Sequence, residues 1–201
     1  RSRGLGDVYK RQIWGAANQS VRPVGKGKLI ASGNANDARE SLSLRPSFQF
    51  LGNPIGLRAT HRKEGSSAWF FVINGSEKTQ AFAMSFAVTG MQPELWDAET
   101  GSISPAPVWR DANQRTEVEL QLAANKSIFV MFRHPLAKTS PHFTTVSRNA
   151  ATLVTAANGE MHWISDEATT MQLTDSSGRQ QTQQLAALSL IHISEPTRPR
   201  L

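Results

Sequence analysis

Cysteine is absent from these 201 residues, which excludes disulfides, thiolate metal sites and cysteine nucleophiles together. The absence does not fix a compartment, since secreted and periplasmic proteins often have none. Tyrosine occurs once. No apolar run approaches the roughly 18 residues of a membrane-spanning helix. The N-terminal stretch lacks the basic, then apolar, then small-residue order of a signal peptide. What is there is an ordinary globular composition: 39% hydrophobic, 19% charged, with a mean hydropathy of −0.37. The length suits one domain or two small ones and allows a core without staples.

A formal net charge of +6 and a pI near 10.2 suggest a nucleic-acid partner at first sight. The distribution argues against one. Residues 1–12 hold four basic side chains (Arg1, Arg3, Lys10, Arg11) against Asp7, and residues 188–201 hold Arg198 and Arg200 against Glu195. Most of the excess sits in these two ends, and the charges between them are mixed in sign and form no stripe. Neither nucleic acid nor membrane is expected as a partner.

The ends also share a nucleotide pattern. One coding of Asp7–Gln12, GAT GTG TAT AAG AGA CAG, is the reverse complement of one coding of Leu188–Ile193, CTG TCT CTT ATA CAC ATC. The inverted match continues outward through Ser2–Gly6 and Ser194–Arg198. It resembles the transposase mosaic-end adapter of sequencing libraries. Residues 1–12 and 188–201 are therefore expected to be translated adapter, set aside from fold reasoning, and a strand at Leu188–Ile193 is expected to lack a selected partner.

Between the ends the signal is β. Val24–Lys28 (VGKGK) reads as a turn before a short apolar strand, Leu29–Ala31. A phosphate-cradling loop would need the Gly-Lys-Ser/Thr ending and a following helix. Asn36–Glu40 reads as a short helix opened by an Asn or Asp cap, and Pro46, Gly52-Asn53-Pro54 and Gly56 interrupt the chain beyond it. Residues 57–133 are richest in pattern. Leu57–Arg62 and Ala68–Asn74 read as strands around a Gly65 turn. Asn74-Gly75 reads as a hairpin. Ala81–Val88 and Arg115–Leu122 alternate, Glu94–Trp96 is a short strand before a turn at Asp97–Gly101, and Ser127–Phe132 is buried. His134–His142 reads as a linker. Thr152–Thr155, Met161–Ile164, Thr170–Leu173 and Gln180–Leu185 read as short strands, with turns at Asn158-Gly159 and Asp175–Gly178. The fold class is mainly β: an antiparallel β-sandwich, flanked by the end of an α/β segment and a smaller β segment.

Candidate chemistry is sparse. Glycoside hydrolysis needs two opposed carboxylates about 5–9.5 Å apart. Glu94 and Asp97 sit three residues apart at a strand end and in a turn, where Asp97 suits a cap better. Glu117 and Glu119 share one strand face, the mark of a solvated surface. His61, His134, His142 and His162 show no close ligand spacing, so neither a metal nor another cofactor is expected. Of Trp14, Trp69, Trp96, Trp109 and Trp163, Trp69 reads as core. Trp109, between Pro107 and Arg110 in an apparent loop, is the candidate for contact with carbohydrate, because indole faces stack on the C–H faces of sugars.

Three segments in order, HRKEGSSAWFFVIN (61–74), FAVTGMQPELWDAETG (86–101) and VELQLAANKSIFVMFR (118–133), resemble a region of large bacterial α-L-rhamnosidase-like glycoside hydrolases. Phe70 stands where tyrosine is common in that pattern, and Ala98 where proline is. IWGAANQS with GKGKLI resembles the end of a preceding amidotransferase-like segment, and NGEMHW with LTDSSGRQQ the next all-β segment. The resemblance implies residues 13–56 as the end of that α/β segment plus linker, 57–133 as an accessory β-sandwich, and 134–187 as the start of a further all-β segment. It implies a periplasmic or secreted parent that removes terminal α-L-rhamnose from polysaccharides. The catalytic barrel, with its acid and base carboxylates and calcium, would lie upstream. No residue here matches those motifs, so a non-catalytic fragment is expected. Its partners would be the rest of the parent chain and carbohydrate. A stand-alone carbohydrate-binding module and an accessory domain of a β-galactosidase-type enzyme are the competing readings.

Overall fold

The computed structural model describes residues 21–31, 34–136, 142–147, 151–155, 161–165, 167–187 and 190–193. The chain divides into two compact units between Pro46 and Ser47. Among its described residues the first holds an antiparallel hairpin, β1 (Val21–Val24) and β2 (Gly27–Ile30), and a helix, α1 (Ala35–Ser41). Gly25 turns the hairpin with φ +57°, open to glycine at no steric cost. Asn34 caps the helix, its side-chain oxygen accepting from Asp37 N at 3.0 Å. The cap is an asparagine, as the sequence suggested, two residues earlier than Asn36.

The second unit is built on a sandwich. Its four-stranded sheet has the order β3 (Phe48–Leu51), β6 (Gln80–Phe86), β10 (Arg115–Leu122), β9 (Trp109–Ala112). Its five-stranded sheet has the order β4 (Leu57–Glu64), β5 (Ser67–Asn74), β11 (Ser127–Pro135), β7 (Met91–Trp96), β8 (Ile103–Pro105). All pairings within both sheets are antiparallel. Strict alternation along β5 and β10 sends every second residue inward. Phe70, Val72, Val130 and Phe132 from one sheet meet Phe82, Met84, Phe86, Val118, Leu120 and Trp109 from the other. Phe70 lies 4.6 Å from Phe86 and 5.9 Å from Phe132, ring centre to ring centre. Burying such side chains stabilises by about 1.5–3 kcal/mol each.

Three expectations change here. Phe48–Leu51, placed in the first segment from sequence, pairs with β6, so the sandwich begins near Ser47 rather than Leu57. The Asn74-Gly75 hairpin does not form. β5 pairs with β4 and β11, and the chain crosses to the opposite sheet before β6 begins at Gln80. Asn74 instead ties that crossover together from a fully buried position. Its Nδ2 reaches the carbonyls of Lys78, Leu122 and Ala123 at 2.8, 3.1 and 2.9 Å. Its Oδ1 accepts from Ser76 N, Ser76 Oγ and Gln80 Nε2. The amide satisfies polar groups at the ends of both sheets, which burial would otherwise make costly. Lastly, β11 runs to Pro135, so His134 lies in a strand and not in a linker.

Beyond the sandwich, β12 (Phe143–Ser147), β15 (Thr169–Asp175) and β16 (Gln180–Leu185) form a three-stranded sheet in the order β12-β15-β16. β13 (Ala151–Thr155), β14 (Met161–Ser165) and β17 (Leu190–Ile193) form another in the order β13-β14-β17. Phe143, Trp163, Met171, Leu173 and Leu185 make a second core, joined by Val108 from the approach to β9. Asp175 turns the β15–β16 hairpin by accepting from Ser177 N and Arg179 N, both at 2.9 Å. The Asn158-Gly159 turn lies outside the described residues. Leu190–Ile193, within the segment expected to lack a selected partner, pairs antiparallel with Met161–Ile164. β14 has only β13 on its other side, and an apolar Leu-Ile-His-Ile segment adds readily to such an open ladder.

Candidate functional site

Acid–base work, if any, would fall to the carboxylates. Glu94, outward on β7, accepts from Trp96 Nε1 at 2.9 Å and from Arg133 Nε at 2.8 Å. Its other oxygen lies 3.9 Å from His134 Nε2. The Arg133 guanidinium also covers the Trp96 ring at 4.8 Å from its centre. Asp97 turns its oxygen back on the chain, accepting from Glu99 N at 2.8 Å and Thr100 N at 3.4 Å. The Glu99 N–H is the main reason its carboxyl titrates below the usual range; desolvation opposes this, and Thr100 and Lys126 add to it. A general acid needs the opposite shift. Glu94 is a brace between β7 and β11, and Asp97 is a turn cap.

Glu117 is engaged as well, with Arg110 NH2 2.6 Å from its Oε2 across the β9–β10 pair. His61 is half-buried. It faces inward and stacks on Phe70 at 4.5 Å, with the planes 10° apart. The His162 side chain and Trp14 lie outside what the structure describes. Among the described residues no three His, Asp or Glu side chains gather as a metal site would require.

Trp109 is not the exposed loop residue that its neighbours suggested. It lies in β9, opposite Val118, and is only 3% exposed. One face of its indole is covered by His142, centre to centre 3.8 Å at 12°. The inward register of β9 places it in the sandwich core, and the Pro107–Arg110 flank that looked like a loop is the strand's entry. A shallow dent of about 30 Å³, partly open to solvent, adjoins it between Arg110, Glu117, Glu119 and Thr144.

Trp69 is the reverse case. It lies on the outer face of the five-stranded sheet and is half-buried. Cross-strand registers set it beside Arg62 and Met131, and set Phe71 beside Thr60 and Phe129. Phe71 and Phe129 touch at 4.6 Å. In the next row Phe129 faces Trp96. Sequence reading missed this row because a strand of eight mostly apolar residues does not say which parity faces the core.

A family model described as alpha-L-rhamnosidase matches residues 7–109. This chain belongs to the α-L-rhamnosidase family. The matched span takes in the first unit and the sandwich as far as β9; it also includes residues 7–12, which the inverted codons had set aside. A protein described as a putative beta-glucuronidase, from Formosa agariphila, is 33% identical over 112 residues, which are 55% of this chain and 10% of that one. The solved structure of a rhamnosidase from Novosphingobium sp. PP1Y aligns with a TM-score of 0.57 at 24% identity, covering 84% of this chain and 19% of that one. The latter likeness establishes the fold. This α-L-rhamnosidase-family chain thus spans about a tenth of the curated relative and about a fifth of the solved chain.

Proposed function

We propose that this chain is a non-catalytic accessory region of a larger glycoside hydrolase, one that releases terminal α-L-rhamnosyl residues from polysaccharides. The family membership supports the reaction class. One observation carries the accessory role: the two carboxylates of the QPELWD segment are committed to structure, Glu94 to Arg133 and Trp96, Asp97 to its own turn. The Asp97 carboxyl is shifted the wrong way for an acid. The remaining Glu94 oxygen faces His134, not the opposed carboxylate that glycoside hydrolysis needs. In this reading the rest of the parent polypeptide, with its catalytic barrel, supplies the chemistry, and the sandwich braces it.

The test is an assay with an aryl α-L-rhamnoside. The 201-residue chain should release no phenol above background, whereas the longer natural polypeptide should turn over. Hydrolysis by the short chain, lost in Glu94→Gln, would overturn the accessory reading.

A further inference from the structure

The outer face of the five-stranded sheet carries Trp69, Phe71 and Ile73 on β5, Phe129 and Met131 on β11, and Trp96 on β7. All six are half-buried, and none belongs to either core. The edge strand β4 lines this row with Arg58, Thr60 and Arg62, opposite Ile73, Phe71 and Trp69. All three are exposed. Arg133, the other cation of the face, is already held by Glu94. The described carboxylates form ion pairs with Arg110, Lys126, Arg133 and Arg179, and none of these pairs involves Arg58 or Arg62.

A solvated sheet face ordinarily alternates to polar residues. A contiguous aromatic face edged by arginine has the make-up of an interface centre, enriched in Trp, Phe, Met and Arg and poor in Lys and Asp. We propose that this face is a docking surface for a neighbouring region of the same longer polypeptide, one that presents apolar side chains with carboxylates set against Arg58 and Arg62. The inference rests on the accessory reading above. Length and charge select the occupant. The matched proteins are roughly four to six times the length of this chain, so a covering region is at hand in cis. A second copy would instead set the exposed Arg58 and Arg62 of one face against those of the other.

Side-chain oxidation by hydroxyl radicals, read by mass spectrometry at Met131 and Trp69, tests this in the 201-residue chain and in the longer natural polypeptide. Both residues should be labelled about tenfold more slowly in the longer polypeptide, as expected in the dry centre of an interface. Arg58→Glu with Arg62→Glu in the longer polypeptide should recover much of the lost labelling; these exposed positions leave the fold intact. Equal labelling in the two proteins would overturn the proposal. Protection in the short chain that rises with its concentration would overturn it in favour of a dimer. Protection in the short chain by polygalacturonate but not by dextran would overturn it in favour of an acidic glycan. None of these readouts involves turnover, so failure here is distinct from failure of the accessory reading.

Discussion

The two outer faces of the sandwich obey the same alternation and end in opposite chemistry. On the four-stranded sheet the outward residues are Ala81, Ala83 and Ser85 on β6 and Glu117, Glu119 and Gln121 on β10. On the five-stranded sheet they are Trp69, Phe71, Ile73, Phe129 and Met131. The first face is small and charged, the ordinary dress of a sheet in water. The second would pass for a core if its strands were read alone. Period two assigns residues to faces, but only the chemistry of both parities shows which faces are meant to be covered.

Adjacent residues on β5 sharpen that contrast most. Phe70 is 1% exposed and packs among Phe86, Phe132 and Phe48. Phe70→Ala should cost about 3–5 kcal/mol, read as a lower urea midpoint. Phe71→Ala, one residue along on the outer face, should cost about 1 kcal/mol or less in this chain. Equal losses would mean that the outer face is packed in this chain after all. Between the two lies Asn74→Ala. Stripping an amide that satisfies three carbonyls and three donors should cost about 3 kcal/mol, and Asn74→Asp should not rescue it, because a carboxylate has no N–H for Leu122 and Ala123.

The polar face should respond more weakly. Glu117→Ala removes the partner of the half-exposed Arg110, and a loss of about 0.5 kcal/mol is expected in thermal melts, shrinking in high salt. The smallest effect is one of pH. The carboxyls of Asp97 and Asp175 are both depressed on folding, Asp97 mainly by the Glu99 N–H and Asp175 mainly by the Ser177 hydroxyl. Their contribution is therefore present above the unfolded Asp value of about 3.9 and fades as pH falls through the lower folded values. Asp97→Asn should melt below the parent chain at about pH 7, and the gap should close toward about pH 2. A gap that widens in acid would reverse the assigned sign.

Strands with clean alternation were legible. RTEVELQL reads as it folds, with Val118, Leu120 and Leu122 inward, and the Asp97 cap was visible because an Asx turn is a local event. The errors fall where the outcome depends on distant chain. Asn-Gly signals a two-residue hairpin, but here Asn74 bonds with residues 48 and 49 positions away, and no local rule sees them. Trp109 has loop-like neighbours and a core address, because Val118 and His142 receive it. His61 sits between polar residues yet lies on a phenyl ring, since its neighbours point the other way. The sandwich boundary moved because Phe48–Leu51, too short to stand out, is completed by β6.

The strand order has a consequence for how the chain is made. β10 lies between β6 and β9, and β11 between β5 and β7, so the last sandwich strands to leave a ribosome are inserted into the middle of both sheets. Until about Leu122 has emerged, β6 and β9 each present a bare edge, and until about Phe132 has emerged so do β5 and β7, with apolar residues beside it. Pairing that spans so much sequence is slow, and nascent chains stalled in that interval are the ones that stick to each other or call for a chaperone.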